Sequence, residues 1–343
     1  MNFVKKKIKE NKLLEILSRV DLKRISIKEI NFFNNKRILI TGVSGIIGLN
    51  LLFFLNAINV NRKINFKVDG TFHTSLFPFV KNFFKKNKNI NFCKIDLTKK
   101  KLNLSKKYDL IFHCAGYGQP AKFMKYKVST FKLNSLTIMN LKKNLKTKGK
   151  FIFMSTTELY SGNKNLCNEN SVGNTSTTHP RSAYIESKKF GESFLINCFD
   201  NYLIYRVCLT YGPGAKINDE RILNILLLRS IKKKQIDIFG GLNQLRSNLY
   251  INDAICMIIK STVKYKNEIF NISNHNMTTI KKMGEIISEI SNKKIKTHKS
   301  FLKGSPDIIK ISNKKILRSI DLRISNSLRE GLLKTYRWYV NLC

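Results

Sequence analysis

Lys36-Arg37-Ile38-Leu39-Ile40-Thr41-Gly42-Val43-Ser44-Gly45-Ile46-Ile47-Gly48 leads straight into Leu49-Asn50-Leu51-Leu52-Phe53-Phe54-Leu55. A short apolar run of this kind reads as a buried strand, glycines spaced G-x-x-G-x-x-G as a tight turn, and the apolar segment beyond as a helix. Gly42 allows the turn, Gly45 lets backbone N–H groups approach a pyrophosphate, and Gly48 lets helix and strand pack closely. Ile46 and Ile47 open the helix, whose N-terminus faces the anion. Any tight strand-to-helix turn can collect glycines, so the meaning of this one depends on the rest of the chain.

Strand and helix signals keep alternating downstream. Residues 66–72 read as a second strand with His73-Thr74-Ser75 at its tip, and residues 92–97 as a third, ending at Asp96 and Leu97. A fourth, 108–116, closes on Ala115 and Gly116, small enough to let backbone lie against a flat ligand. Residues 122–146 read as one helix with Asn134 in its middle, and 150–154 as a fifth strand. This βαβ rhythm predicts an α/β protein with a Rossmann-type doubly wound parallel sheet. An acid at the second strand's tip would accept from the ribose of NAD, whereas an Arg would suit NADP. No Arg stands near His73, Asp69 comes too early, and Asp96 is placed to accept from an adenine amino group. NAD is therefore expected over NADP.

The 343 residues can bury a large core as one or two intimately joined domains. The formal charge of +41, from 63 Lys and Arg against 22 Asp and Glu, raises the possibility of nucleic-acid binding. The lysines are spread along the whole chain without a recognition motif, so no nucleic-acid partner is expected; a basic mouth for an anionic small molecule is. Seven cysteines, an odd number with no C-x-x-C pair, argue for reduced thiols in a cytoplasmic protein without a metal site. Lys5, Lys6, Lys7 and Lys9 interrupt any apolar leader, and no apolar run is long enough for a membrane span. Residues 1–35 carry an amphipathic helical pattern through Leu13, Leu14, Ile16, Leu17 and Val20.

Two further landmarks carry chemistry. Ser155-Thr156-Thr157-Glu158-Leu159-Tyr160 follows the fifth strand, and ligands of open α/β sheets bind at carboxyl ends of strands. His179-Pro180-Arg181-Ser182-Ala183-Tyr184-Ile185-Glu186-Ser187-Lys188 opens a helix, with Ser182 a suitable N-cap and Tyr184 and Lys188 on one face at i and i+4.

Together these residues resemble the extended short-chain dehydrogenase/reductase family, the NAD-dependent nucleotide-sugar epimerases, dehydratases and decarboxylases. The likeness spans residues 36–340 and includes Tyr211-Gly212-Pro213, Asp219-Glu220-Arg221, Gln244-Leu245-Arg246-Ser247 and Tyr250-Ile251-Asn252-Asp253. Ser155 to Tyr160 resembles the corresponding segment of dehydratases and UDP-glucuronate decarboxylases, and Pro180-Arg181 with Glu186 looks most like the decarboxylases. Leu209 differs from the Asn many members carry, and Thr157 from the Asp of some dehydratases.

The amphipathic pattern makes residues 1–35 a helical extension, and the resemblance implies an NAD-binding unit at 36–210 and a mostly substrate-binding region at 211–343. Segments near 236–256 and 268–273 are expected to return to the main sheet. It further implies a homodimer, paired through helices at 122–146 and 182–199. Its catalytic set is Tyr184, Lys188, Thr156 and Glu158. Gly42, Gly45, Ile46, Ile47, Gly48, His73, Asp96, Leu97, Ala115, Gly116 and Asn134 join Tyr184 and Lys188 around NAD. Thr157, Arg221 and Arg246 would meet a nucleotide sugar.

Phenolate at neutral pH needs help, since a free tyrosine titrates near about 10, and Lys188 with the positive nicotinamide would give it. Tyr184 would then take the proton of the sugar 4-hydroxyl, oriented by Thr156, to leave a 4-ketosugar. Loss of the C5 proton to Glu158 leads to dehydration; loss of a 6-carboxylate held by Arg246 leads to decarboxylation. A 4-epimerase remains a third branch. A non-catalytic NAD- or RNA-binding protein on the same fold is the competing reading, but it has no use for a base with its charged partner.

Overall fold

The structure is a computed structural model describing residues 2–62, 64–99, 102, 104–298 and 309–343. Its strands in chain order are β1 (Arg37–Thr41), β2 (Lys67–Phe72), β3 (Ile90–Lys94), β4 (Tyr108–His113), β5 (Leu145–Thr156), β6 (Leu166–Cys167) and β7 (Tyr202–Val207). They continue as β8 (Leu209–Tyr211), β9 (Ile236–Phe239), β10 (Leu245–Tyr250), β11 (Glu268–Ile272), β12 (Met277–Thr279), β13 (Ile295–His298) and β14 (Lys310–Ile311). The helices are α1 (Asn2–Ser18), α2 (Ile27–Asn31), α3 (Ile46–Arg62), α4 (Pro78–Phe84), α5 (Pro120–Lys125), α6 (Lys127–Asn134) and α7 (Leu136–Lys142). After them come α8 (Ser182–Cys198), α9 (Ile222–Lys232), α10 (Ile251–Lys264), α11 (Ile280–Ser291), α12 (Lys314–Ile320) and α13 (Leu328–Leu342).

Seven strands form one parallel sheet in the order β11-β7-β5-β4-β1-β2-β3. Ile38, Leu39 and Ile40 of β1 are wholly buried because helices cover both faces, which is why the strand reads as an unbroken apolar run. Chain direction across the sheet reverses between β1 and β4, and the crevice beside that switch is where such sheets bind ligands. A three-stranded sheet, β12-β10-β8, and the pairs β13-β9 and β14-β6 lie outside the main sheet.

Several expectations need correction. The single helix at 122–146 is three helices, broken at Tyr126 (ψ 52°) and Ser135 (ψ −82°). The Ser135 hydroxyl donates to the Phe131 carbonyl, a local bond that competes with helix continuation, and residues 145–146 already belong to β5. Ser182 is the first helical residue of α8 rather than its cap; Arg181 holds that place without a side-chain capping bond. Residues 236–239 and 245–250 do not rejoin the main sheet. The edge beside β7 is taken by β11, so β9 pairs with β13 and β10 with β8 and β12. The third strand ends at Lys94, leaving Asp96 and Leu97 in the following turn.

The N-terminal segment is anchored rather than appended. α1 buries Leu13 and Leu17 and packs on α13 and α3. Arg24 donates to the buried Asp253 at 2.7 Å, and Asp253 also accepts from Ser325 and Asn326. All seven cysteines are free. Among the described residues no helix is long and apolar enough to cross a membrane, and no cluster of His, Cys, Asp and Glu could hold a metal.

Candidate active site

A cavity of about 540 Å³ opens where β1, β4, β5 and β7 end, and Thr156, Thr157, Glu158, Tyr184, Lys188, Arg221 and Arg246 all face it. The helix α8 supplies its reactive side. Because Tyr184 and Lys188 lie one turn apart, both point at the end of β5. Lys188 Nζ donates to the Met154 carbonyl at 2.6 Å and sits 4.4 Å from the Phe153 ring centroid. Burial lowers Lys188 to about 7, against the opposing charges of Glu192 and Cys114. One turn further, Glu192 accepts from the Ser155 hydroxyl and pairs with Arg206 at 2.7 Å.

Tyr184 lies flat against Phe123, ring centroids 4.4 Å apart and planes 3° from parallel. Burial pushes its phenol above the ordinary value and the charge of Glu158 adds to that; Thr156, Arg181 and Arg221 pull the other way. Lys188, expected together with the nicotinamide to favour the phenolate, turns its ammonium to the Met154 carbonyl. Thr156 accepts from the Glu158 N–H at 3.2 Å, and its own O–H, the donor, is directed at the Tyr184 phenol.

Glu158 sits on a short 3₁₀ turn, Thr157–Tyr160. Arg181 Nη1 donates to Glu158 Oε1 at 2.7 Å, while the buried Oε2 has no partner among the described residues. The Arg181 guanidinium lies 5.5 Å from the centroid of the Phe123 ring, over that ring. Arg246 donates to the Leu245 carbonyl and to Gln244 Oε1; among the described residues no carboxylate stands within ion-pair distance of it. Burial and the charge of Arg181 lower its basicity, and Glu158 partly restores it. The guanidinium of Arg221, by contrast, uses all three of its nitrogens, two on Asp219 and Nη1 on the Thr210 carbonyl.

The glycine turn fits a dinucleotide. Gly42 has φ 72°, and a Cβ there would lie 2.8 Å from the backbone of Ala115; a Cβ on Gly48 would lie 2.6 Å from the Gly42 carbonyl oxygen. Gly45 meets only that same oxygen, at 3.4 Å, so its outer face is open to a phosphate. Ile46, Ile47 and Gly116 line the cavity. His73 and Asp96 do not line the cavity; beyond β2 and β3 they stand 4.0 Å from each other, with Asp96 also accepting from Thr98. Leu97 is buried and offers its carbonyl to Thr137. Asn134 stands behind the reactive helix rather than in the cavity wall, donating to Ser187 at 2.9 Å.

Arg181 and Phe123 were not singled out as site residues from sequence. Arg181 stands three residues before Tyr184, one helical turn away, so the spacing rule that pairs Tyr184 with Lys188 would have found it. Phe123 carried no signal, since its position depends on the break between α5 and α6.

Residues 38–273 match the model of the NAD dependent epimerase/dehydratase family. UDP-glucuronic acid decarboxylase 4 of Arabidopsis thaliana is 26% identical over 286 residues, which are 80% of this chain and 63% of that protein. The chain thus spans under two thirds of that relative's length. Epimerase Mth375 of Methanothermobacter thermautotrophicus superposes with a TM-score of 0.76 at 18% identity, covering 91% of this chain and 94% of that one. UDP-glucuronic acid 4-epimerase of Bacillus cereus, solved with NAD, gives 0.71 at 21% identity over 89% and 99%. With the family match running over the glycine turn, the Tyr184–Lys188 helix and the seven-stranded sheet, the chain belongs to the NAD dependent epimerase/dehydratase family.

Proposed function

We propose that the protein is a UDP-glucuronate decarboxylase-like enzyme that oxidises its nucleotide sugar at C4. The observation that carries the reading is Arg246, a cavity-wall guanidinium without a carboxylate partner beside the Glu158–Arg181 pair. Two guanidiniums to one carboxylate leave a positive charge for the substrate to balance, and a 6-carboxylate balances it bidentately. A neutral hexose offers nothing there. NAD, when bound, supplies the hydride acceptor at C4 and returns the hydride later. Tyr184 takes the 4-hydroxyl proton while Thr156 donates to the same oxygen and holds it in line. The C4 ketone makes the 6-carboxylate a β-keto acid; the C5–C6 bond breaks, its electrons move to the C4 oxygen, and carbon dioxide leaves.

The absence of an Arg beside His73, together with the carboxylate of Asp96 facing it, supports NAD over NADP, and the nucleotide released on denaturation identifies it. Exposed Val128 and Phe131 on α6 and Phe190 on α8 support a homodimer. The test of the reaction is carbon dioxide release from UDP-glucuronate with retention of NAD. Dehydration or 4-epimerisation of a neutral UDP- or dTDP-hexose, with no carbon dioxide from UDP-glucuronate, would overturn the decarboxylase reading.

A further inference from the structure

The 4-keto acid expected at this site has two exits, and both start at C5. If the C5–C6 bond breaks, carbon dioxide leaves. If a base removes the C5 proton, the electrons again flow to the C4 oxygen, but the carboxylate stays and the centre loses its configuration. Glu158 is the carboxylate of the cavity wall next to Tyr184, close enough for its charge to bear on the phenol. What governs Glu158 therefore governs the choice of exit.

Glu158 is not free. Arg181 Nη1 holds Oε1 at 2.7 Å, with side chains only 6% and 22% exposed, and Oε2 is buried without a partner among the described residues. Arg181 is itself immobilised. It holds the cap position of α8, its guanidinium rests on Phe123, and Phe123 rests on Tyr184. The arginine, the clamped carboxylate and the phenol thus form one stacked unit. Arg246 repels Arg181 across the site, so Arg181 gains most by staying on Glu158.

We propose that Arg181 is a specificity-determining residue that fixes Glu158 in an ion pair, denying it the C5 proton and steering the 4-keto acid to decarboxylation. The proposal rests on the 4-keto uronate reading above. On this view Glu158 serves as a fixed negative charge between two guanidiniums, and Arg246 keeps the carboxylate that is to leave.

The experiment incubates the NAD-loaded enzyme with UDP-glucuronate in deuterium oxide and measures deuterium at C5 of the recovered uronic acid per hydride transferred at 340 nm. Decarboxylated product is set aside, because its C5 is protonated from solvent in either case. Arg181→Met should raise that ratio about tenfold or more, the scale of a lost charge-assisted hydrogen bond. Adding Glu158→Gln to it should return the ratio to the wild-type level, since the freed base is gone. Arg181→Lys, which keeps the charge without the planar fork, should give a smaller rise, and decides the matter if the Met variant does not fold. An unchanged ratio in the folded variants overturns the proposal. So does a rise that survives Glu158→Gln. Carbon dioxide release by the wild type is scored separately: an enzyme that transfers hydride and releases none refutes the decarboxylase reading, while the exchange ratio still judges Arg181.

Discussion

Tyr184 and His113 show how single residues carry separate burdens at the same end of the sheet. Removing only the phenol oxygen, Tyr184→Phe should cut turnover by about 10²–10⁴-fold and leave NAD binding near wild type; most of the activity surviving in a steady-state assay would remove Tyr184 from the mechanism. His113 does no chemistry but holds the turn. Its Nε2 faces the Leu133 carbonyl at 2.8 Å, an obligate acceptor, so Nε2 carries the proton and Nδ1 accepts from Thr41. Thr41 in turn accepts from the Ala115 N–H, tying β1 to the backbone that Gly42 packs against. Burial lowers His113 to about 3 from its ordinary 6.5. Its folded pKa lies below the unfolded one, so the unfolded chain binds the extra proton. Stability from this group is present above 6.5 and is lost as pH falls from 6.5 towards 3. His113→Gln, which can still donate to Leu133, should flatten that acid limb in urea titrations between pH 6.5 and 4, and an unaltered limb would count against the assignment.

The element that organises the site is α8 laid along the end of β5. Residues 184, 188 and 192, successive turns of one helix face, meet residues 154–156 of the strand: Tyr184 opposite Thr156, Lys188 on Met154, Glu192 on Ser155. Arg206 of β7 closes the row from behind, with Nε and Nη2 on Glu192 and Nη1 on Tyr160 and the Glu169 carbonyl. Glu192→Gln would leave Arg206 charged in a buried site and should destabilise the fold by about 3 kcal/mol or more, measured by chemical denaturation. A loss below about 1 kcal/mol would mean that the row is not held this way. This face was half legible in the sequence. The i, i+4 spacing of Tyr184 and Lys188 pointed to it, but Glu192 needs Ser155 and Arg206 brought from other strands before it has a meaning. The same division runs through the fold. β1, β4 and the glycine turn were readable because strands buried on both faces must be apolar, whereas β9 and β10 were misplaced because strand patterning does not say which sheet edge is vacant. The breaks at Tyr126 and Ser135 were hidden for a related reason, since neither residue is a glycine or proline and the helix stops where β5 must begin.

At the scale of the molecule, the high positive charge and the helix pair α6–α8 ask to be read together. A surplus of 41 formal charges opposes self-association, so a dimer needs an apolar contact strong enough to overcome repulsion. α6 packs on α8, and on the outer side Val128 is 68% exposed, Phe131 45% and Phe190 43%. Phe190 stacks on Phe194 one turn away with planes 7° from parallel, which keeps the patch in one orientation. Exposed apolar and aromatic side chains on adjoining helices are the material of interface cores. α8 also carries Tyr184 and Lys188 on its inner face, so a partner on the outer face would stiffen the helix that aligns them. Phe131→Asp with Phe190→Asp should therefore give a monomer with the fold intact by circular dichroism, and should lower kcat more than it raises KM. Because such a pairing would work against net charge, the proposed dimer should also tighten as salt screens the repulsion. Sedimentation at micromolar concentration in low and high salt checks both points: a wild-type monomer throughout, or a double variant still dimeric, would place the interface elsewhere or nowhere.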